Sequence, residues 1–257
     1  MRPRWQLAVV VTVLFFLTQW GVARLLGVDF DTMADTTDNV WKGLTLRVGL
    51  TATVFTLIAL WAGTAWNGGI YVQDEPPLPR WTWVVPILMV GFAVVKIATN
   101  DWGARGGEYM LALAIGVLFV GIAEETTFRG INLRALRGST SNEFVVMVAS
   151  AVLFGLVHGV NILNGAAVVP TLGQTALATL GGGAFYITMR LSGRLLVPIL
   201  LHALWDYPIL GRSGAADVVG LLTLIGQVVV YGLTIYIAYL VHRSTTSADE
   251  TTPEPAA

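Results

Sequence analysis

Long apolar stretches, close to the roughly 20 residues that cross a bilayer as a helix, recur along this chain with short polar breaks between them. A helix satisfies its own backbone hydrogen bonds, which lipid cannot do, so stretches of this kind predict transmembrane helices. The pattern therefore predicts an all-α, polytopic transmembrane helix bundle of about eight spans. The predicted spans are residues 5–26, 44–64, 82–99, 108–123, 144–163, 166–190, 195–210 and 216–241.

The composition indicates an integral membrane protein. Hydrophobic residues make up 55% of the chain and charged residues 12%, and the mean hydropathy is +0.70, far more apolar than an average soluble domain. The net charge of -1 offers no basic surface for nucleic acid, so the expected partner is membrane lipid and not nucleic acid. Cysteine is absent, which leaves only His, Asp or Glu to hold a metal and excludes disulfides and thiol nucleophiles.

The basic residues that flank the spans predict the orientation, because cytoplasmic loops carry an excess of Lys and Arg. We predict that both termini lie in the cytoplasm and that the protein resides in the cytoplasmic membrane. The basic residues on the predicted cytoplasmic side are Arg2, Arg4, Arg80, Arg129, Arg134, Arg137, Arg190, Arg194 and Arg243. Those on the other side are Arg24, Lys42, Arg47, Arg105 and Arg212, next to an acidic loop at 29–35.

Three domain segments are predicted: N-terminal transmembrane helices at 1–107, a catalytic helical core at 108–243 and a polar, disordered tail at 244–257. The first span could be a signal peptide, but its length and the spans that follow favour a retained anchor. Lys96 is expected to reach the membrane interface from the end of its helix. The glycines at 181–183 are expected to form a close helix-packing surface.

A pair of carboxylates in the fourth span is the first candidate for chemistry, because ionisable groups at membrane depth mark a functional site by default. Glu125 and Arg129 are four residues apart, so on a helix they share one face and can pair. Glu124 points about 100° away from that face. We predict a structural Glu125–Arg129 ion pair and a free carboxylate, Glu124, that acts as general base. The alternative is a charge cluster at the membrane interface.

Two histidine motifs follow on later spans. His158 comes one helical turn after Phe154, which is expected to pack beside the imidazole, and Asn161 is expected to support the site. His202 and Asp206 are also one turn apart, roughly 6 Å along a helix. They could converge on a divalent metal, surround a reacting carbonyl as donor and acceptor, or simply hydrogen-bond to each other.

The ordered set of motifs resembles the CPBP family, the CAAX-protease and bacteriocin-processing intramembrane proteases, also called the Abi family. The patterns are Glu-Glu-x-x-x-Arg at 124–129, Phe-x-x-x-His at 154–158 and His-x-x-x-Asp at 202–206. Each pattern is short, but the three in this order at membrane depth are specific. The resemblance extends to the type II CAAX prenyl endopeptidases.

The resemblance implies an intramembrane endopeptidase whose substrate is a membrane-associated or lipidated peptide or protein. It implies a cavity open to the cytoplasmic side, in which Glu124 and His158 activate a water molecule. His202 and the residue at 206 would support the oxyanion.

Asp206 departs from the resemblance, because type II CAAX prenyl endopeptidases carry Asn at this position. An ionised Asp cannot donate a hydrogen bond to an oxyanion. Asp206 could instead orient His202, be protonated, or bind zinc together with His158 and His202. A metal-dependent and a glutamate-type mechanism both stay open.

Two other functions fit the same residues. A proton-coupled carrier could use Glu124, His158, His202 and Asp206 as a relay, although such carriers usually show inverted repeats and none is visible here. A non-catalytic immunity or scaffold protein of the same family is the other alternative.

Overall fold

The computed structural model describes residues 3–65, 70–72, 78–103, 105–212 and 218–250, and these form an all-α bundle, as predicted. Arg2 and residues 251–257 lie outside the described part. The helices are α1 (Trp5–Leu26), α2 (Thr37–Val40), α3 (Arg47–Ala65), α4 (Val84–Thr99), α5 (Gly107–Glu125), α6 (Leu133–Arg137), α7 (Glu143–Val157), α8 (Val160–Leu163), α9 (Val168–Ser192), α10 (Leu196–Leu210) and α11 (Val218–Glu250).

Six helical segments of the described residues are long and apolar enough to cross a membrane. They are Trp5–Leu26, Thr37–Gly63, Arg80–Thr99, Gly107–Arg137, Glu143–Leu163 and Gly220–Thr245. The other two predicted spans correspond to α9 and to the shorter apolar helix α10. Helix α9 packs against α7, α10 and α11, so protein rather than lipid covers several of its small and polar residues, namely Thr171, Gly181, Gly182, Gly183 and Thr188.

The helices run between two ends of the bundle, which differ in charge. At the first end, the backbone N–H of Trp5 at the start of α1 donates to Ser139 Oγ, at 2.8 Å, in the loop before α7. We call this the arginine-rich end; its basic residues are Arg4, Arg80, Arg134, Arg137, Arg190, Arg194 and Arg243. The start of α1 and the 138–142 loop thus share one end, as the orientation prediction requires.

The second end is where α1, α4, α7 and α10 finish, and we call it the acidic end. The backbone N–H of Phe30, after α1, donates to the Asn164 carbonyl, after α7, at 2.8 Å. Asn100, after α4, donates to the Gly211 carbonyl, after α10, at 3.1 Å. The acidic residues near these loops are Asp29, Asp31, Asp35, Asp38, Asp101 and Glu108.

Glycines allow close helix approaches around the centre of the bundle. A Cβ on Gly121 of α5 would lie 2.5 Å from the Ile199 carbonyl oxygen of α10. A Cβ on Gly182 of α9 would lie 3.0 Å from Cα of Ala151 in α7. Side chains at these positions would push the helices apart, which confirms the packing surface predicted at 181–183 and extends it to α5 and α10.

Helix α5 continues into α6 through a π-helical stretch, Thr126–Asn132, so Gly107–Arg137 forms one long helix. The wide turns begin directly after Glu125 and include Arg129. Widened turns of this kind occur often at functional sites, because they re-aim side chains within an otherwise regular helix.

Three predictions need correction. Lys96 does not reach an interface, because its side chain is 0% exposed and Nζ lies 4.1 Å from the centre of the Trp205 ring. Arg47 is not a flanking residue but is buried in the bundle. Helix α11 continues to Glu250, beyond residue 244, where the disordered tail was predicted to begin.

Candidate active site

Four of the candidate residues line one cavity of about 110 Å³, located toward the acidic end of the bundle. Glu124, His158 and Asp206 contribute polar groups to its wall, and Asn161 lies beside them. Phe30 and Met33, from the loop after α1, also line it. The motifs that are separated along the sequence therefore meet, as predicted, on α5, α7 and α10.

A buried carboxylate, Glu125, joins two of the motifs behind this cavity. Its Oε1 accepts from Nη1 of Arg129 at 3.2 Å and lies 2.7 Å from Nδ1 of His202. The side chains of Glu125 and Arg129 are both 0% exposed. The predicted ion pair is present, and in addition the carboxylate holds the imidazole of His202, which sequence reasoning missed.

Arg129 is enclosed by groups suited to a buried guanidinium. Its Nη2 donates to the Gly182 carbonyl of α9 at 2.8 Å. Its guanidinium carbon lies 4.3 Å from the ring centre of Phe154 and 5.3 Å from that of Phe185. Arg129 thereby connects α5 to α7 and α9 through one charge, with both aromatic faces turned toward the cation.

The ring of His202 is fixed in orientation. It stacks on Phe185 with ring centres 4.4 Å apart and an angle of 19° between the planes. With Nδ1 directed at Glu125, the other ring nitrogen points toward the remaining carboxylates. His202 Nε2 lies 3.4 Å from Asp206 Oδ2 and 3.9 Å from Glu124 Oε2.

Glu124 has the properties expected of a free carboxylate next to a cavity. Its side chain is 14% exposed, and its Oε2 has no hydrogen-bond partner among the described residues. It interacts electrostatically with His158, His202 and Asp206. An unpartnered acceptor in a polar cavity can bind a water molecule, since a buried polar atom without any partner is costly.

His158 caps the end of α7 and presents one ring nitrogen to the site. Its Nδ1 lies 3.0 Å from the Phe154 carbonyl oxygen. A carbonyl can only accept, so Nδ1 carries a proton and the neutral ring has an acceptor at Nε2. Phe154 packs edge-on against the same ring, with centres 5.3 Å apart, which agrees with its predicted packing role.

Asn161 is the remaining residue predicted to support the site. Its Nδ2 donates to Gln174 Oε1 of α9 at 3.0 Å, and both side chains line the cavity. Gln174 was not singled out in the sequence, because a single amide in an apolar helix gives no distinctive pattern.

Asp206 has a buried cation nearby. Lys96 of α4 interacts electrostatically with Asp206, and its Nζ has no hydrogen-bond partner among the described residues. The positive charge of Lys96 favours a negatively charged side chain at position 206. The nearby carboxylate in turn lowers the cost of the buried Lys96 ammonium.

The geometry does not fit the zinc site considered from the sequence. Across the described ranges, no three side chains of His, Asp or Glu are placed to hold a metal ion together. No reaction step is therefore assigned to a metal.

The fold and the site define a polytopic membrane protein with a buried glutamate–histidine centre, and the comparison with known families agrees. Residues 106–208 match the family model of Rce1-like proteins, described as type II CAAX prenyl endopeptidase Rce1-like. The match includes all three motifs and confirms the predicted family: the chain contains an Rce1-like domain of the CAAX proteases. No curated protein and no solved structure matches the chain significantly.

The arrangement predicts that Glu125→Gln and Glu124→Gln differ in stability. Glu125→Gln removes the charge opposite a fully buried guanidinium, so we expect a loss on the order of a few kcal/mol. Glu124→Gln should leave the unfolding temperature near that of the wild type, because Glu124 compensates no cation at hydrogen-bond distance. Thermal unfolding in detergent measures both variants. A larger loss for Glu124→Gln than for Glu125→Gln would contradict this assignment.

Proposed function

We propose that the protein is an intramembrane endopeptidase that hydrolyses a peptide bond of a membrane-associated or lipidated peptide or protein. The observation that carries the proposal is the convergence of Glu124, His158 and Asp206 at one cavity within the Rce1-like segment. His202 lies directly beside two of them, with Nε2 3.4 Å from Asp206 Oδ2 and 3.9 Å from Glu124 Oε2. Hydrolysis needs an acceptor for a water proton, a donor for the developing oxyanion and a place for the peptide. The cavity and the adjoining His202 offer all three.

In the proposed reaction, Glu124 accepts a proton from a water molecule while His158 Nε2 orients it. The hydroxide formed adds to the scissile carbonyl carbon, and negative charge moves to the carbonyl oxygen. Collapse of this intermediate breaks the C–N bond, and the proton held by Glu124 is transferred to the leaving amine. Atoms and charge balance, and both products leave with Glu124 ionised again.

His202 is proposed to support the oxyanion. Glu125 accepts from Nδ1 and fixes the ring. Because Asp206 and Glu124 lie on the other side of the ring, His202 is proposed to be the doubly protonated imidazolium, whose second proton, on Nε2, points toward the site. Fixed donors are effective because they need no rearrangement as charge develops. Glu125 and Arg129 act as positioning residues in this account.

The resemblance implies a cavity that opens to the cytoplasm, and the basic residues predict that both termini lie in the cytoplasm. These two expectations cannot both hold. The cavity lies toward the acidic end, whereas the N-terminus lies at the arginine-rich end. If both termini are cytoplasmic, the cavity opens away from the cytoplasm. We propose this orientation, because seven arginines mark the arginine-rich end and positive residues face the cytoplasm.

The proposed chemistry predicts that Glu124→Gln and His158→Ala abolish cleavage while stability and helix content stay near wild type. Purified protein in detergent is incubated with a peptide library that contains unmodified and S-prenylated members. Mass spectrometry of the products maps the cleaved bonds. Cleavage that persists in Glu124→Gln, or no cleavage by the wild type, would overturn the proposed function and favour a carrier or scaffold.

The proposed orientation predicts opposite labelling at the two ends. The chain has no cysteine, so single substitutions provide a clean test. An impermeant maleimide should label Asp31→Cys in intact cells and should label Ser139→Cys only after the membrane is opened; both positions are exposed. The reverse pattern would place the cavity on the cytoplasmic side.

The proposed metal-free reaction needs no charge at position 206, so Asp206→Asn is predicted to keep or raise activity, since an amide can donate to the oxyanion. The variant should lose stability because Lys96 then lacks its nearby negative charge, and the added change Lys96→Met should restore it. Activity and thermal unfolding are measured with and without a chelator. Stoichiometric zinc, a chelator-sensitive wild type and an inactive Asp206→Asn would contradict the metal-free account.

A further inference from the structure

A groove on the lipid-facing surface of the bundle lies between α4 and α10. Its volume is about 400 Å³, and its walls are apolar. Among the described residues, none lines both this groove and the cavity that holds Glu124. The groove is therefore a separate feature, which the proposed reaction does not use. The residues that line its two sides include Trp83, Ile87 and Val90 on the α4 side and Val197, Leu200 and Leu204 on the α10 side.

The groove lies within one leaflet of the membrane. Seven positions separate Trp83 from Val90 and Val197 from Leu204, which is roughly 10 Å at the rise of an α-helix. Both helices begin at the arginine-rich end, so the groove starts there and ends before the middle of a hydrocarbon core about 30 Å thick. A partner's transmembrane helix would pack along most of that thickness, whereas the acyl chain of a lipid stays in its own leaflet. The dimensions favour an acyl chain.

Two arginines lie at the outer end of the groove, one on each side. Arg80 and Trp83 are the first and last residues of a 3₁₀ turn before α4, in which side chains three residues apart lie above one another. Arg194 lies one turn before Val197, whose N–H donates to the Arg194 carbonyl at 3.2 Å. Both arginines are exposed. Each therefore lies about one turn outside a residue that lines the groove.

The positive charge at this end of the groove has no counter-charge within the described part of the chain. Neither guanidinium forms an ion pair or a side-chain hydrogen bond there. Glu143, a carboxylate described at the same end, already pairs with Arg137 at 2.8 Å and Arg190 at 2.7 Å. Basic residues next to a membrane attract anionic lipid headgroups, and basic pockets between helices bind them. An anion at the level of the headgroups is therefore expected to supply the missing charge.

We propose that the groove binds an acyl chain of an anionic phospholipid, whose phosphate pairs with Arg80 and Arg194. Arginine and phosphate form strong, charge-assisted hydrogen bonds, and the apolar walls cover the chain. A lipid in this position holds α10 against α4 from the lipid-facing side. The same two helices are linked deeper in the membrane, where Lys96 interacts electrostatically with Asp206. The bound lipid thus stabilises the helix that carries His202 and Asp206, and this role does not depend on the proposed reaction.

The first test compares two lipids that differ in charge. The purified protein in neutral detergent is titrated with phosphatidylglycerol or with phosphatidylcholine of the same acyl chains. Native mass spectrometry measures the bound lipid, and thermal unfolding measures stability, because a ligand that binds the folded state raises the unfolding temperature. Phosphatidylglycerol should bind and stabilise more strongly than phosphatidylcholine, and glycerol phosphate, which has no acyl chain, should do neither. Equal stabilisation by phosphatidylcholine or by glycerol phosphate would overturn the inference.

Two variants then assign the charge preference to this groove. Arg80→Gln and Arg194→Gln should each weaken phosphatidylglycerol binding roughly fivefold, the amount expected for one basic residue at the membrane surface. Arg4→Gln is the matched control, because it removes an exposed arginine at the same end outside the groove, and its affinity should stay close to that of the wild type. Wild-type affinity in both groove variants, or an equal loss in Arg4→Gln, would contradict the proposal. If one groove variant does not fold, the other decides.

A third pair of variants tests the acyl-chain site. Leu200→Trp places a larger side chain in the groove, whereas Leu14→Trp does so on the exposed face of α1; both leucines are about half exposed. Lipid binding should fall in Leu200→Trp and not in Leu14→Trp, and full binding in Leu200→Trp would count against the groove. Displacement of phosphatidylglycerol by an S-prenylated peptide would assign the groove to a lipidated substrate instead and overturn the inference.

Discussion

The buried carboxylate of Glu125 is the interaction on which the rest of the site depends. It lies between the guanidinium of Arg129 at 3.2 Å and Nδ1 of His202 at 2.7 Å, and so connects α5 to α10. Arg129 in turn donates to the Gly182 carbonyl of α9. Charged groups this deep in a membrane protein are tolerated only when they compensate each other. Their pairing fixes both the helix arrangement and the direction of the His202 imidazole.

Close packing makes this pairing possible. Gly121 lets α10 approach α5, and Gly182 lets α7 approach α9. The widened turns of Thr126–Asn132 begin directly after Glu125. Adjacent residues therefore have different environments: Glu125 is sealed among buried partners, whereas Glu124 faces the cavity with a free Oε2. This division between a buried, paired carboxylate and a cavity-facing one follows from the direction in which each side chain leaves the helix.

The sequence predicted the helical bundle, the Glu125–Arg129 pair and the meeting of the three motifs, because span length and four-residue spacing are local properties. It did not predict the Glu125–His202 contact, the stacking of His202 on Phe185, or the burial of Lys96 and Arg47. Those contacts join helices far apart in the chain. In addition, a lysine near a helix end, such as Lys96, has the same local sequence pattern whether its side chain contacts lipid headgroups or the ring of Trp205. Periodicity alone carries no information about such pairings.

The central claim is that a water molecule activated by Glu124, and not Glu124 itself, attacks the peptide bond. A single turnover in water enriched in oxygen-18, with enzyme in excess over substrate, tests it directly by mass spectrometry. The account predicts one oxygen-18 atom in the new C-terminal carboxylate of the product in the first turnover. A first-turnover product that contains only oxygen-16, with the heavy isotope appearing in Glu124, would show a covalent acyl-enzyme and contradict the account.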